Sequence, residues 1–201
     1  MLFSLFKTDI LYAQRLLSSA NLYKDKLDGK YGKNTKAAED EFENLYNQYA
    51  KKYGSFDMRS EGIIQTLLPQ AQVAARHFMQ LASHAPFTVK LISGTRNYAE
   101  QNILFNKRPK VTNARGGQSN HNFGIAWDVG IFVNGNYYTG KNKREEQAYI
   151  NLSELVMPTL GNLLTWGGNW KNLVDRPHYE VTTNKSISQV RKLFEAGKPY
   201  I

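Results

Sequence analysis

Two short segments constrain this chain more than any other feature, because each combines potential metal ligands with the pattern of a strand or a strand edge. They lie at residues 119–128 and 175–180, and between them they hold two histidines and two aspartates: His121, Asp128, Asp175 and His178. A catalytic zinc ion usually has three protein ligands of this kind and a water molecule, and a carboxylate off the metal can take that water's proton. The inventory predicts a mononuclear zinc site with a spare acid.

The spacing of these residues indicates how the two aspartates divide the work. His121 and Asp128 are too far apart for one helix face, but a loop can deliver the histidine and a strand the aspartate. A turn before a strand can place His178 on the metal and Asp175 beside the open coordination position. Each residue also has an ordinary alternative: a satisfied histidine of the core or surface, a turn residue for Asp128 and a cap for Asp175.

Composition limits what could hold the metal and indicates the charge of the partners. The 201 residues include no cysteine, so a metal must be bound by His, Asp, Glu or water. The formal net charge is +9, and residues 53–201 carry most of it, with 17 Lys and Arg against 10 Asp and Glu. Such a field favours polyanions, namely nucleic acid, anionic lipid or acidic wall polymers, unless it serves solubility alone. Because no motif of a known nucleic-acid reader is present, we expect no nucleic-acid partner.

Hydrophobic periodicity predicts an α+β fold, with helices flanking a small and mainly antiparallel sheet. Apolar residues at spacings of three and four predict helices, and alternating ones predict strands. The predicted elements are a long helix from Ser60 to Phe78, a strand over 87–91, a hairpin over 125–133 with an Asn134-Gly135 turn, a helix over 145–166 that Pro158 must start, kink or end, a strand over 177–182 and a helix from Ile187.

The first part of the chain, residues 1–52, is predicted to be a small all-α module preceding a larger domain over residues 53–201. Two segments with helical spacing bracket the turn Leu27-Asp28-Gly29-Lys30-Tyr31-Gly32, after which Asn34 could cap a helix. This pattern resembles the three-helix peptidoglycan-binding module attached to many wall hydrolases. The resemblance implies binding to peptidoglycan, and the alternative is a helical spacer packed on the second domain.

The two metal-ligand segments resemble the signature of a known peptidase family. Written as S-x-H-x-x-G-x-A-x-D at residues 119–128 and D-x-x-H at residues 175–178, they are similar to the M15 zinc peptidases, with the D-Ala-D-Ala carboxypeptidase and hedgehog-like fold. Three further features resemble the L-alanyl-D-glutamate endopeptidase branch, common among phage endolysins: Ser93-Gly94-Thr95-Arg96 with Gln101, Trp166-Gly167-Gly168-Asn169-Trp170, and aspartate at position 175.

This resemblance implies a zinc centre, a general base and substrate contacts. It makes Arg96 the stabiliser of the tetrahedral intermediate, which suits the rigid donor fork of a guanidinium; the alternative is a solvated loop charge. The bulky Trp127 is expected to narrow the pocket. The remaining assignments are the zinc ligands His121, Asp128 and His178, the base Asp175, and the substrate contacts Ser119 and Gln101.

The implied function is that of a zinc metallopeptidase that cleaves a stem-peptide bond of bacterial peptidoglycan, as an L-alanyl-D-glutamate endopeptidase and endolysin. Two alternatives stay open: a D,D- or L,D-carboxypeptidase with the same zinc centre, and a catalytically silent wall-binding protein, against which Asp175 argues. The apolar start, residues 1–6, lacks a basic n-region and is followed by Lys7. We therefore expect no secretory signal and no membrane insertion. We further expect a monomer that is made in the cytoplasm and reaches the wall by holin-type release, as for an endolysin.

Overall fold

The computed structural model describes residues 9–201, in which helices surround a five-stranded antiparallel sheet. This confirms the predicted α+β class, whereas the apolar start with its predicted lack of a secretory signal lies outside the described residues. The helices are α1 (Ile10–Ser19), α2 (Lys33–Tyr53), α3 (Met58–Ile64), α4 (Pro69–Ala82), α5 (Tyr98–Asn106), α6 (Lys143–Leu160) and α7 (Ile187–Glu195). The strands are β1 (Thr88–Ser93), β2 (Ala126–Val133), β3 (Asn136–Tyr138), β4 (Leu164–Trp166) and β5 (His178–Val181), and 3-10 turns span Asn120–Phe123 and Gly167–Asn169.

The strand β2 organises the sheet, whose order is β1-β2-β5-β4 with β3 also paired to β2. The predicted hairpin between β2 and β3 is confirmed: Asn134 and Gly135 both have positive φ, 51° and 80°, as a two-residue type I′ turn requires. In the pairing of β2 with β5, Asp128 lies directly opposite His178. Directly opposite residues of antiparallel strands share one face, so this register brings two predicted ligands together.

The other face of the same strands forms part of the core. Trp127 and Tyr179 are fully buried, and the ring of Phe78 in α4 lies 6.0 Å and 4.6 Å from theirs. Successive side chains of a strand point to opposite faces, so Trp127 points into the core while Asp128 points away from it. The expectation that Trp127 narrows the pocket is therefore wrong.

Two predicted helices differ from the observed ones, and each differs near a proline, Pro69 in the first and Pro158 in the second. The helix predicted from Ser60 is divided into α3 and α4, because Pro69 starts a new helix and the preceding Leu68 amide donates to the Gly124 carbonyl oxygen at 2.8 Å. The helix predicted over 145–166 ends at Leu160, with Pro158 in its last turn, and the chain then enters β4.

The first 45 described residues, 9–53, contain two α-helices, where the sequence predicts a three-helix module. The segment between α1 and α2 is fixed by the buried Gln14, whose Oε1 accepts the amides of Asp28 and Gly29. Gly32, and not Asn34, is the N-cap of α2. The helix α1 contributes to the same hydrophobic core as the sheet. The predicted boundary between two domains, at residues 52 and 53, therefore stays a prediction.

No helix within residues 9–201 combines the length and the apolar composition needed to cross a membrane.

Candidate active site

Three of the predicted ligands converge in the structure. One ligand atom each of His121, Asp128 and His178 lies within 4.8 Å of the other two. Nε2 of His121 and Nδ1 of His178 are both 3.2 Å from Oδ1 of Asp128, and the two imidazoles are almost completely buried. The 3-10 turn before β2 delivers His121, and the β2–β5 register delivers the other two.

The outer nitrogen of each imidazole is occupied by a hydrogen-bond acceptor. Nδ1 of His121 lies 2.8 Å from the Gly94 carbonyl oxygen, and Nε2 of His178 lies 2.9 Å from Oε2 of Glu180. A carbonyl or carboxylate oxygen accepts, so each outer nitrogen carries the proton and the inner nitrogen can present a lone pair. Two such nitrogens and one carboxylate form a donor set that fits zinc, with the outer partners that orient metal-binding histidines.

The charges in this cluster oppose the effect of burial. Burial alone would raise the pKa of Asp128, but the two histidines hold it well below its ordinary value. Burial alone would lower the pKa of His178, but hydrogen bonds to Asp128 and Glu180 raise it to about 9. Metal binding at neutral pH would therefore displace a proton from His178.

Glu180 is a site residue that the sequence analysis did not single out. Its Oε2 accepts both from His178 and, at 2.9 Å, from Nδ2 of Asn120 beside His121. The available signal was the spacing His178-x-Glu180 within a predicted strand, which places both side chains on one face. Glu180 therefore connects the two segments that carry the histidines.

Asp175 lies beside the cluster and is not one of its three members. It opens the turn before β5, where the His178 amide donates to its carbonyl oxygen at 3.2 Å and its own amide donates to Gly167 at 3.0 Å. A Cβ at Gly167 would lie 2.6 Å from the Asp175 carbonyl oxygen, so this turn requires glycine there. Burial raises the pKa of the Asp175 carboxyl, and the neighbouring Asp128 raises it further, which favours a role as a proton acceptor.

Arg96 lines the same cleft as the cluster and is fixed mainly through its backbone. Its amide donates to the His121 carbonyl oxygen at 2.9 Å, and its NH1 donates to Oγ of Ser93 at 3.1 Å. Within residues 9–201 its buried Nε has no hydrogen-bond partner. The guanidinium therefore retains donor capacity for a ligand in the cleft.

The two predicted substrate contacts differ in position. Ser119 lines the cleft. Gln101 is fully buried and its Nε2 donates to the Ala114 carbonyl oxygen at 2.9 Å. The side chain of Gln101 is not part of the cleft lining. Gln101 instead supports Ala114, which lines the cleft.

The cleft has a volume of about 760 Å³ and two walls of different charge. We call residues 111–121 the His121 wall and residues 170–180 the His178 wall. Four exposed cations lie in the sequence just before or within the His121 wall, and none forms an ion pair with any residue from 9 to 201: Lys107, Arg108, Lys110 and Arg115. The sequence has no acidic residue from 101 to 127, whereas the His178 wall contains the acidic Asp175 and Glu180 together with Lys171 and Arg176.

Comparison with known proteins relates this site to peptidases. Residues 112–181 match the family model described as D-alanyl-D-alanine carboxypeptidase. The chain is 34% identical over 114 residues to the peptidoglycan L-alanyl-D-glutamate endopeptidase CwlK of Bacillus subtilis (strain 168), a match that covers 51% of this chain and 66% of CwlK, just under two thirds. Among solved structures it is similar to the L-Ala D-Glu endopeptidase ChiX of Serratia marcescens, with 24% identity, a TM-score of 0.48, and coverage of 64% of this chain and 90% of ChiX.

Proposed function

We propose that this chain, which belongs to the M15 family of peptidases, is a zinc-dependent peptidoglycan hydrolase that cleaves the L-alanyl-D-glutamate bond of the stem peptide. One observation carries the proposal: His121, Asp128 and His178 converge in a cleft, and Asp175 lies beside them without joining the cluster. The similarity to CwlK supports this choice of bond.

The chain's own residues account for the proton transfers of a peptide hydrolysis. His121, Asp128 and His178 would hold the zinc ion, which when bound polarises the scissile carbonyl and lowers the pKa of water. Asp175 accepts the proton of the attacking water and returns it to the leaving amine. Arg96 donates to the oxyanion that develops on the carbonyl oxygen.

The charge of the two walls supports a defined orientation of the substrate. The stem peptide carries free carboxylates, and the cations just before and within the His121 wall would attract them, whereas Asp175 and Glu180 would repel them. We expect the acidic part of the peptide to lie along the His121 wall.

We also propose a cellular setting for this activity. The basic surface and the resemblance of residues 8–48 to a wall-binding module support attachment to peptidoglycan, with the protein acting as a monomeric endolysin after holin-type release. No nucleic acid and no inserted membrane segment is part of this proposal.

A carboxypeptidase that removes a terminal D-alanine is the second candidate, favoured by the description of the matching family model. Mass spectrometry of purified peptidoglycan after digestion distinguishes the candidates. New D-glutamyl amino termini would support the endopeptidase, and release of free D-alanine would support the carboxypeptidase. An unchanged digest with the zinc-loaded protein would contradict both and favour a silent wall-binding protein.

A further inference from the structure

The helix α1 reaches the backbone that carries the site. Tyr12 is 2% exposed, and its ring lies 5.2 Å from that of Phe194 and 6.2 Å from that of Tyr98. Its hydroxyl lies 2.8 Å from the Asn122 carbonyl oxygen and 3.1 Å from the Arg96 carbonyl oxygen. These contacts span 110 and 84 residues of sequence, so a residue of the predicted wall-binding module lies against the catalytic segments.

The two carbonyl groups belong to one connected set of hydrogen bonds. The side chain of the fully buried Asn122 donates to the Arg96 carbonyl oxygen at 2.9 Å and accepts the Gly117 amide at 2.9 Å. The Arg96 amide in turn donates to the carbonyl oxygen of His121. The peptide groups of Arg96 and of the His121–Asn122 pair are therefore fixed relative to each other, with Tyr12 donating at the point where they meet.

We infer that Tyr12 is a positioning residue for the reaction, which holds the backbone from which Arg96 and His121 enter the cleft. The side chain of Arg96 donates to Oγ of Ser93, and its Nε has no hydrogen-bond partner within residues 9–201, so its direction depends on the placement of its backbone. A shift of that backbone would move the donor to the oxyanion and one of the three metal ligands together. The inference rests on the proposed function where its test measures kcat. The two other measurements, zinc release and amide hydrogen exchange, test the geometry alone.

A second contact of the N-terminal helices provides a matched control. The hydroxyl of Tyr46 in α2 donates to Oε2 of Glu61 at 2.6 Å, and Glu61 forms an ion pair with the buried Arg76. None of these three residues lines the cleft. Tyr46→Phe therefore removes the same hydroxyl from the same part of the chain without touching the site.

The experiment compares Tyr12→Phe with Tyr46→Phe in the full-length, zinc-loaded chain. Both variants should lower Tm. Tyr12→Phe alone should lower kcat on a soluble stem peptide by roughly 10-fold to 100-fold with nearly unchanged KM, the cost of displacing a catalytic group by up to about 1 Å. It alone should also speed the release of zinc to a chelator by about 10-fold and increase hydrogen exchange at the Arg96 amide.

A residue that merely stabilises the fold would give the same result as Tyr46, so equal kcat, zinc release and amide exchange in the two folded variants would overturn the inference. p-Aminophenylalanine at position 12 keeps a donor at the same place and should restore the wild-type values. Should Tyr12→Phe not fold, this second variant still decides, because low kcat in its folded form would contradict a donor role. If the wild type hydrolyses nothing, the proposed function fails while zinc release and exchange still test Tyr12.

Discussion

The two histidines of the candidate metal centre are oriented by different kinds of groups. His121 donates to a backbone carbonyl, that of Gly94, and sits in a turn fixed by other backbone contacts. His178 lies on a strand and donates to a side chain, that of Glu180. The His121 half of the site, by which we mean His121 and its turn, therefore depends on backbone contacts with distant segments, whereas the His178 half, His178 and its strand, depends on the Glu180 carboxylate.

The largest expected effect is loss of zinc, and it should be the same for both histidines. His121→Ala and His178→Ala should each lose stoichiometric zinc, because two protein ligands remain where a zinc site needs three. Elemental analysis after dialysis measures the loss, with the exposed His84→Ala as the variant that keeps its metal. Full zinc in either site variant would remove that histidine from the ligand set.

The next largest effect is a loss of turnover on changing Asp175 in the His178 wall. Asp175→Asn is nearly isosteric but cannot accept a proton, so it should keep its zinc and its fold while turnover falls by ~10²–10⁴. The measurement pairs zinc content with the rate at which new D-glutamyl amino termini appear, and Asp40→Asn, in an exposed ion pair with Lys36, is the control. A nearly wild-type rate, or loss of the zinc, would refute the role of Asp175 as the base.

A smaller effect on zinc affinity tests whether His178 depends on the Glu180 carboxylate. Glu180→Gln removes the charge that orients His178 and should weaken zinc binding by ~10–100-fold. The control Glu146→Gln removes a carboxylate that pairs with Arg176 at 3.2 Å and should leave the affinity unchanged. Competition with a chelator measures both. Unchanged affinity in Glu180→Gln would mean that the two halves are held alike, by backbone and packing.

The smallest effect concerns the charge difference between the walls. Replacing Lys107 and Lys110 by glutamine should lower binding to sacculi a few-fold and flatten its decline with salt, because exposed charges act over a Debye length of ~8 Å at physiological ionic strength. Replacing Lys141 and Lys143, which lie at least 20 residues from either wall in sequence, should have less effect. Sacculus binding that is flat across ionic strength would assign the charge to solubility alone.

The parts of the fold and site that the sequence predicts are those encoded in local patterns. The hairpin follows from Asn134-Gly135, and the family resemblance carried by residues 119–128 and 175–178 is confirmed. The proximity of His121, Asp128 and His178 agrees with the structure, although their binding of zinc remains a prediction. In these cases a few neighbouring residues determine the outcome.

The remaining features depend on contacts that no local pattern contains. Trp127 precedes the candidate ligand Asp128, yet the alternation of the strand sends it into the core. Tyr12 meets Asn122 across 110 residues, and nothing in either segment specifies that pairing. Pro69 was an available signal for a helix start, but the periodicity of the flanking apolar residues outweighed it.

The β2–β5 register also couples the candidate metal centre to the folding of the sheet. Asp128 and His178 are 50 residues apart in sequence and become neighbours when these strands pair. Closing such a distant contact is slow relative to local helix formation. With His121, Asp128 and His178 as the proposed ligands, tight metal uptake would await this pairing. The time at which a refolding chain gains metal affinity would then mark the completion of its central sheet.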